Sequence, residues 1–281
     1  MAEITTSIIT DLRARTNAGM MDCKRALTET NGNMEEAIKI LRLKGLAIQV
    51  KRADKEANQG IVQAAVKADS SAMALVEVNS ETDFVAKTDN FKAFVNAVAA
   101  KVLAGDEDVA GSMKDDLVAI VSTTGENVRI RRTARFVRTG NAVIESYIHM
   151  GGKVGVLVEL DCGKAASAAN PAVATLAHDI ALQVAAAAPR WLDQTQVPNE
   201  ILESEKALYR KDPKLEGKPE KIVEGALIGK VRKFYSDVCL VNQVYVKDDK
   251  QTVSQVVEAA AKAMGDTIII RRFARFQLGA A

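Results

Sequence analysis

The sequence has few cysteines, few histidines and little charge imbalance, and each shortage removes a class of function. Three cysteines, Cys23, Cys162 and Cys239, lie far apart in 281 residues. Odd in number and without metal-ligand spacing, they make neither a disulfide framework nor a zinc site, and they read as reduced thiols of a cytoplasmic protein. The two histidines, His149 and His178, have no cysteine or carboxylate at a metal-ligand interval. No metal and no cofactor is therefore expected. Lys and Arg total 38 against 36 for Asp and Glu, so the basic excess of a protein that grips a phosphate backbone is missing. Long apolar runs are missing too. The most apolar stretch, 165–188, carries Asn170, Pro171, His178 and Asp179, a set that a bilayer span does not tolerate. Glu3 and Asp11 stand near the start without a basic flank and apolar core, so no secretory signal is read.

Catalytic signatures are equally scarce. No G-x-x-x-x-G-K-[ST] loop occurs: Gly152-Lys153, Gly163-Lys164, Gly217-Lys218 and Gly229-Lys230 all lack the hydroxyl and the spacing that phosphate and magnesium require. No Ser, Cys or Lys sits in a nucleophile context. Glu81 with Asp83 leaves open a carboxylate-dependent enzyme, but two carboxylates in a loop are a weak signal. The chain is expected not to be an enzyme.

What is present is an α+β pattern. Residues 1–50 read as a three-helix unit. Ile4, Ile8 and Leu12 repeat at helical spacing up to a break at Asn17-Ala18-Gly19, and a second short helix runs through Ala26 and Leu27. Asn31-Gly32 is a turn, Asn33 with Glu36 starts a third helix, and Ala37, Ile38 and Leu41 give it a buried face. Gly45 suits that helix's end, and the charged stretch 51–58 reads as a linker.

Beyond it the chain repeats itself. Gly125–Phe136 (GENVRIRRTARF) aligns with Gly265–Phe276 (GDTIIIRRFARF), with Gly, Ile, Arg, Arg, Ala, Arg and Phe identical. Each copy follows a strand and a helix. Ala74–Val78 leads to a helix with Phe91, Phe94, Val95, Val98 and Val102 on one side; Val156–Leu160 leads to one with Val173, Leu176, Ala177, Ile180 and Val184. Asn170 and Pro171 suit that second helix's cap and first position. Two related α+β core subdomains are expected, 59–140 and 141–281, each a small antiparallel sheet backed by helices. At 199–234 the second carries an insertion, two polar helical stretches flanking Pro213–Pro219, which reads as an antiparallel hairpin. Such an arm cannot bury much of itself and is expected to contact something else, a second copy included.

The most informative stretch is Asn79-Ser-Glu-Thr-Asp-Phe-Val-Ala-Lys87. It places Asp83 and Phe84 side by side just after a β-branched strand, an apolar body with a charge beside it, suited to pressing on a partner. Phe84 reads equally well as the first core residue of the next helix, and Asp83 as a helix-start residue. Met20 and Met21 fit a core, or an adaptable binding surface. The basic strands 129–136 and 271–276 admit an alternative function. Arg129, Arg131, Arg132 and Arg135, like Arg271, Arg272 and Arg275, interleave with aromatic residues, a pattern that binds single-stranded RNA. Ordinary alternation, with the arginines solvated and ion-paired, explains the same pattern.

Three motifs resemble the bacterial elongation factor Ts family: Leu12–Leu27, Glu81–Lys87 and Gly125–Arg132, in the family's order, with similarity from near the first residue to about Gln277. The resemblance implies a ubiquitin-associated-like (UBA-like) module, two related core subdomains and a helical hairpin. It also implies guanine-nucleotide exchange on elongation factor Tu in translation elongation, with no direct contact to nucleic acid or membrane. Carried over by position, Asp83 and Phe84, flanked by Thr82 and Val85, match the segment that intrudes beside the partner's magnesium and nucleotide. Arg13, Met20 and Met21 match contacts to the partner's nucleotide-binding domain, and His149 a core-subdomain contact. The sequence ends at Ala281, where some relatives continue into another helix that packs on the partner; that contact is expected to be missing.

Overall fold

The computed structural model describes residues 4–16 and 18–280. Its first helix, α1 (Thr6–Thr16), buries Ile9 and Leu12. α2 (Met20–Glu29) buries Cys23, Ala26 and Leu27 against them. Of the expected break, Asn17 lies outside the described residues. The turn after α2 falls where expected: Asn31 and Gly32 have φ of 50° and 86°, a conformation these two residue types adopt at low cost. Asn33 then caps α3 (Met34–Arg52), its side chain accepting from the backbone N–H of Glu35 and Glu36.

Helix α3 does not stop at Gly45. It continues to Arg52, and Gly45 is buried inside it. The glycine serves close approach, because a Cβ there would lie 2.7 Å from the Val118 carbonyl oxygen and 2.8 Å from Val118 Cγ1. A residue suited to ending a helix was thus chosen for packing, a distinction that local sequence does not carry.

Two compact units form, and chain order does not separate them. The first comprises the chain up to Arg135, Ile148–Gly155 and the stretch from Phe276; the second comprises Phe136–Tyr147 and Val156–Arg275. In the first, β1 (Gln59–Val66) pairs antiparallel with β2 (Ala72–Ser80), Gln59 opposite Ser80 and Val66 opposite Met73. Every residue of β2 is buried, as a central strand covered on both faces requires. A single turn, α4 (Asp83–Ala86), leads into α5 (Asp89–Ala104), capped by the Thr88 hydroxyl. Phe91, Phe94, Val95, Val98 and Val102 of α5 all enter the core with Val76 and Val78 of β2, as their spacing predicts. After α6 (Val109–Ser112), α7 (Lys114–Thr124) packs on α3, and β3 (Arg129–Val137) completes a sheet of order β1-β2-β3.

The second unit repeats the scheme. β4 (Ala142–His149), β5 (Val154–Cys162) and β8 (Ile268–Gln277) make a sheet of order β4-β5-β8. After the turn α8 (Ala165–Ala168), α9 (Pro171–Ala187) begins at the expected Asn170 cap and buries Val173, Leu176, Ala177, Ile180 and Val184. The insertion is a pair of helices, α10 (Asn199–Arg210) and α11 (Glu220–Val238). A small ladder of β6 (Val244–Tyr245) and β7 (Asp248–Thr252) and then α12 (Val253–Met264) lead to β8. The repeat's first glycines do the same work: Gly125 ends α7 and Gly265 ends α12, both with positive φ. All three cysteines are buried and unbridged, and burial pushes the Cys239 thiol up to about 11. Among the described residues no helix is long and apolar enough to cross a membrane.

Candidate functional site

The stretch that follows β2 is built by its own side chains. Thr82 caps α4, its hydroxyl accepting from the Val85 N–H, so the chain turns abruptly and Asp83 and Phe84 become the first residues of a one-turn helix. Phe84 is 78% exposed. That excludes the core reading of this ring, since a core phenylalanine is shielded from water. Val85 instead packs against the apolar cluster beneath α5. Lys87 folds back along the turn: its Nζ donates to Asp83 Oδ2 at 2.6 Å and lies 5.9 Å from the centre of the Phe84 ring. The hydrogen bond from Lys87 holds the Asp83 carboxyl below its ordinary range. The turn therefore presents an aromatic face with a fixed negative charge beside it.

Two carboxylates clamp the turn from behind. Glu126, in the loop between α7 and β3, accepts from the Glu81 and Thr82 N–H groups (3.1 Å each) and from the Thr82 hydroxyl (2.6 Å). Glu81 replies across the same gap, accepting from the Asn127 N–H at 2.6 Å and from Arg52, the last residue of α3, at 2.8 Å. The Asn127 side chain in turn donates to the Lys55 carbonyl. Both Glu81 oxygens are thus engaged as structural acceptors. Among the described residues no group of three or more His, Cys, Asp or Glu is placed to hold a metal ion.

Phe84 and Asp83 stand at the edge of an open cleft of ≈ 750 Å³, which Lys87, Lys92, Met150 and Lys153 also line. Met150 is exposed as well, at a left-handed turn after β4. His149 stands one residue before it, exposed at the end of β4. Arg13, Met20 and Met21 belong to the helical module: Arg13 is exposed on α1, Met20 and Met21 are exposed on α2, and none of them lines this cleft. Sequence reasoning missed Glu126, Arg52 and Met150. Glu126 lay inside a motif read for its arginines, and nothing local marks it as the partner of a turn 44 residues earlier.

The arginines of the two strands stay partly open to solvent and are held by acceptors of neighbouring elements. Arg131 and Arg132 both bind the buried Glu77 carboxylate, at 3.2 and 2.7 Å. In the second copy Arg272 binds the equally buried Glu159, with Arg271 3.9 Å from it. Arg135 donates to the Leu103 carbonyl and Arg275 to that of Val184. The rings alternate in a crossed pattern, Arg132 over Phe276 and Arg272 over Phe136. These guanidiniums are thus ion-paired or hydrogen-bonded, as the alternation reading of the strands has them.

A family model described as elongation factor TS matches residues 81–280. The chain is also 46% identical to elongation factor Ts of Trichlorobacter lovleyi, an alignment covering 98% of this chain and 93% of that one. It is 40% identical to elongation factor Ts of Clostridium botulinum strain Alaska E43 and 41% identical to that of Clostridium novyi, at the same coverage. With the α+β fold, the inserted hairpin and the displayed turn, these likenesses define the class as translation elongation factors of protein biosynthesis. Within that class the chain belongs to the elongation factor Ts family.

Proposed function

We propose that the chain is a guanine-nucleotide exchange factor for elongation factor Tu in the cytoplasm, and that Phe84 with Asp83 is its working edge. The observation that carries this reading is the exposed Phe84 ring on a turn clamped by Glu126 and Glu81. A large apolar ring held rigidly in water gains free energy only when a partner covers it. A GTPase holds GDP through phosphate-loop amides and a magnesium ion. Pressing a ring and a carboxylate beside that ion loosens both contacts, because the carboxylate competes for the cation's field and the ring displaces the packing that supports the loop. By linkage, a factor that binds best to the nucleotide-free partner weakens GDP by the same factor by which GDP weakens it. No bond in the nucleotide is made or broken. Arg13, Met20 and Met21 on the helical module, with His149, supply the docking contacts.

Stopped-flow release of a fluorescent GDP from elongation factor Tu tests the proposal. Adding the chain is expected to accelerate release in a saturable manner; an unchanged release rate at saturating concentration contradicts it.

A further inference from the structure

The clamp behind the Phe84 turn carries more than a local fold. We infer that Glu126 is the positioning residue of exchange, with Glu81 and Arg52 as its second hold, an inference that rests on the exchange reading above. Three facts converge on it. The Glu126 carboxylate satisfies two consecutive N–H groups and one hydroxyl at the foot of α4, so both of its oxygens are used to orient one turn. Those N–H groups belong to Glu81 and Thr82, the two residues immediately before Asp83, and Thr82 is itself the α4 cap. The reciprocal bonds, Asn127 N–H to Glu81 and Arg52 to Glu81, tie that foot to α3 and to the loop before β3. The turn is thereby held by elements far apart in sequence, while the ring it carries touches solvent.

Physical chemistry separates this arrangement from ordinary loop packing. Hydrogen bonds to an ionised carboxylate are shorter and stronger than neutral ones, and the energy of a wedge is realised only if its ring arrives already oriented. A four-residue helix has too few internal bonds to hold itself. Without Glu126 the N–H and hydroxyl donors at the foot of α4 lose their external acceptor, and Phe84 samples orientations that do not enter the partner. Docking through the helical module does not depend on that orientation. Loss of Glu126 therefore lowers the maximal rate and leaves the concentration dependence in place.

The test uses the full chain with elongation factor Tu and fluorescent GDP, comparing wild type, Phe84→Ala, Glu126→Ala, Glu126→Gln and the Phe84→Ala/Glu126→Ala pair. Glu126→Ala is expected to lower the maximal release rate about tenfold while moving the half-maximal concentration less than about twofold. In the Phe84→Ala background the same change is expected to cost less than about twofold, because an absent wedge needs no orientation. Amide exchange at Glu81 and Thr82 should quicken in Glu126→Ala while β2 stays protected. Glu126→Gln keeps one acceptor oxygen for the two N–H groups and is expected to fall between wild type and Ala, which preserves the test if Ala melts early. Equal fold-losses with and without Phe84, or an unchanged maximal rate, overturn the positioning role. A Phe84→Ala chain that releases GDP as wild type does overturns the wedge itself, and the positioning role of Glu126 with it.

Discussion

Asp83 and Phe84 were legible as neighbours in the sequence, but the exposure of Phe84 was not. A ring beside a helix start can point into the core or away from it, and the turn that carries this one is bonded to a carboxylate 45 residues past Glu81. Periodicity cannot report such a partner. Asp83 is the second decision at this scale. The hydrogen bond from Lys87 depresses its folded pKa below the ordinary 3.8, so its contribution is complete above the ordinary value and is lost as pH falls through the lower, folded one. Its charge is therefore constant from about pH 5 to pH 8, and exchange should show no titration from this group there. Carbon-detected NMR of the Asp83 carboxyl is expected to give an inflection below 3.8, moved upward by Lys87→Met. An inflection above the ordinary value would remove the Lys87 contact from solution.

At the scale of elements, the duplicated strands carry a buried carboxylate each, and this was only half visible. The repeat disclosed the arginines; the acceptors, Glu77 and Glu159, stand in strands read only as apolar. Truncating one partner of a buried pair commonly costs about 3–5 kcal/mol. Arg131 and Arg132 are about one-third exposed and recover part of their hydration, so Glu77→Ala is expected near the lower end, about 3 kcal/mol by urea unfolding. A loss within experimental error would show that the arginines find water unaided. The hairpin was legible from its prolines, yet its root was not. Phe234 is buried with Val197, Cys239 and Trp191, so a cut that removes Phe234 takes a ring out of a core. α10 buries no residue, and α11 buries only Leu227 and Phe234. Replacing 203–230 by a short Gly/Ser turn is therefore expected to leave the circular dichroism and melting of the rest intact, with exchange weakened but present. Global unfolding of that variant would make the arm part of the fold.

For the whole molecule, docking and release are proposed to rest on different residues. Met21 is 68% exposed and Met20 43% exposed, outside the apolar cluster of their module, as the proposed docking role requires. Changing both to Ala should raise the concentration needed for half-maximal exchange more than it lowers the maximal rate; the opposite pattern would assign the methionines to release. Phe84 is proposed to act on the partner and not on the fold, and stimulated GDP release by Phe84→Ala separates the two. A truncated central anchor commonly costs about 2 kcal/mol or more, whereas a core Phe→Ala change costs about 3–5 kcal/mol of folding free energy. With the melting temperature unchanged, release at saturating concentration is predicted to slow about tenfold or more, since each 1.4 kcal/mol is a factor of ten. Wild-type release from the folded variant would leave the Phe84 ring without a role in exchange.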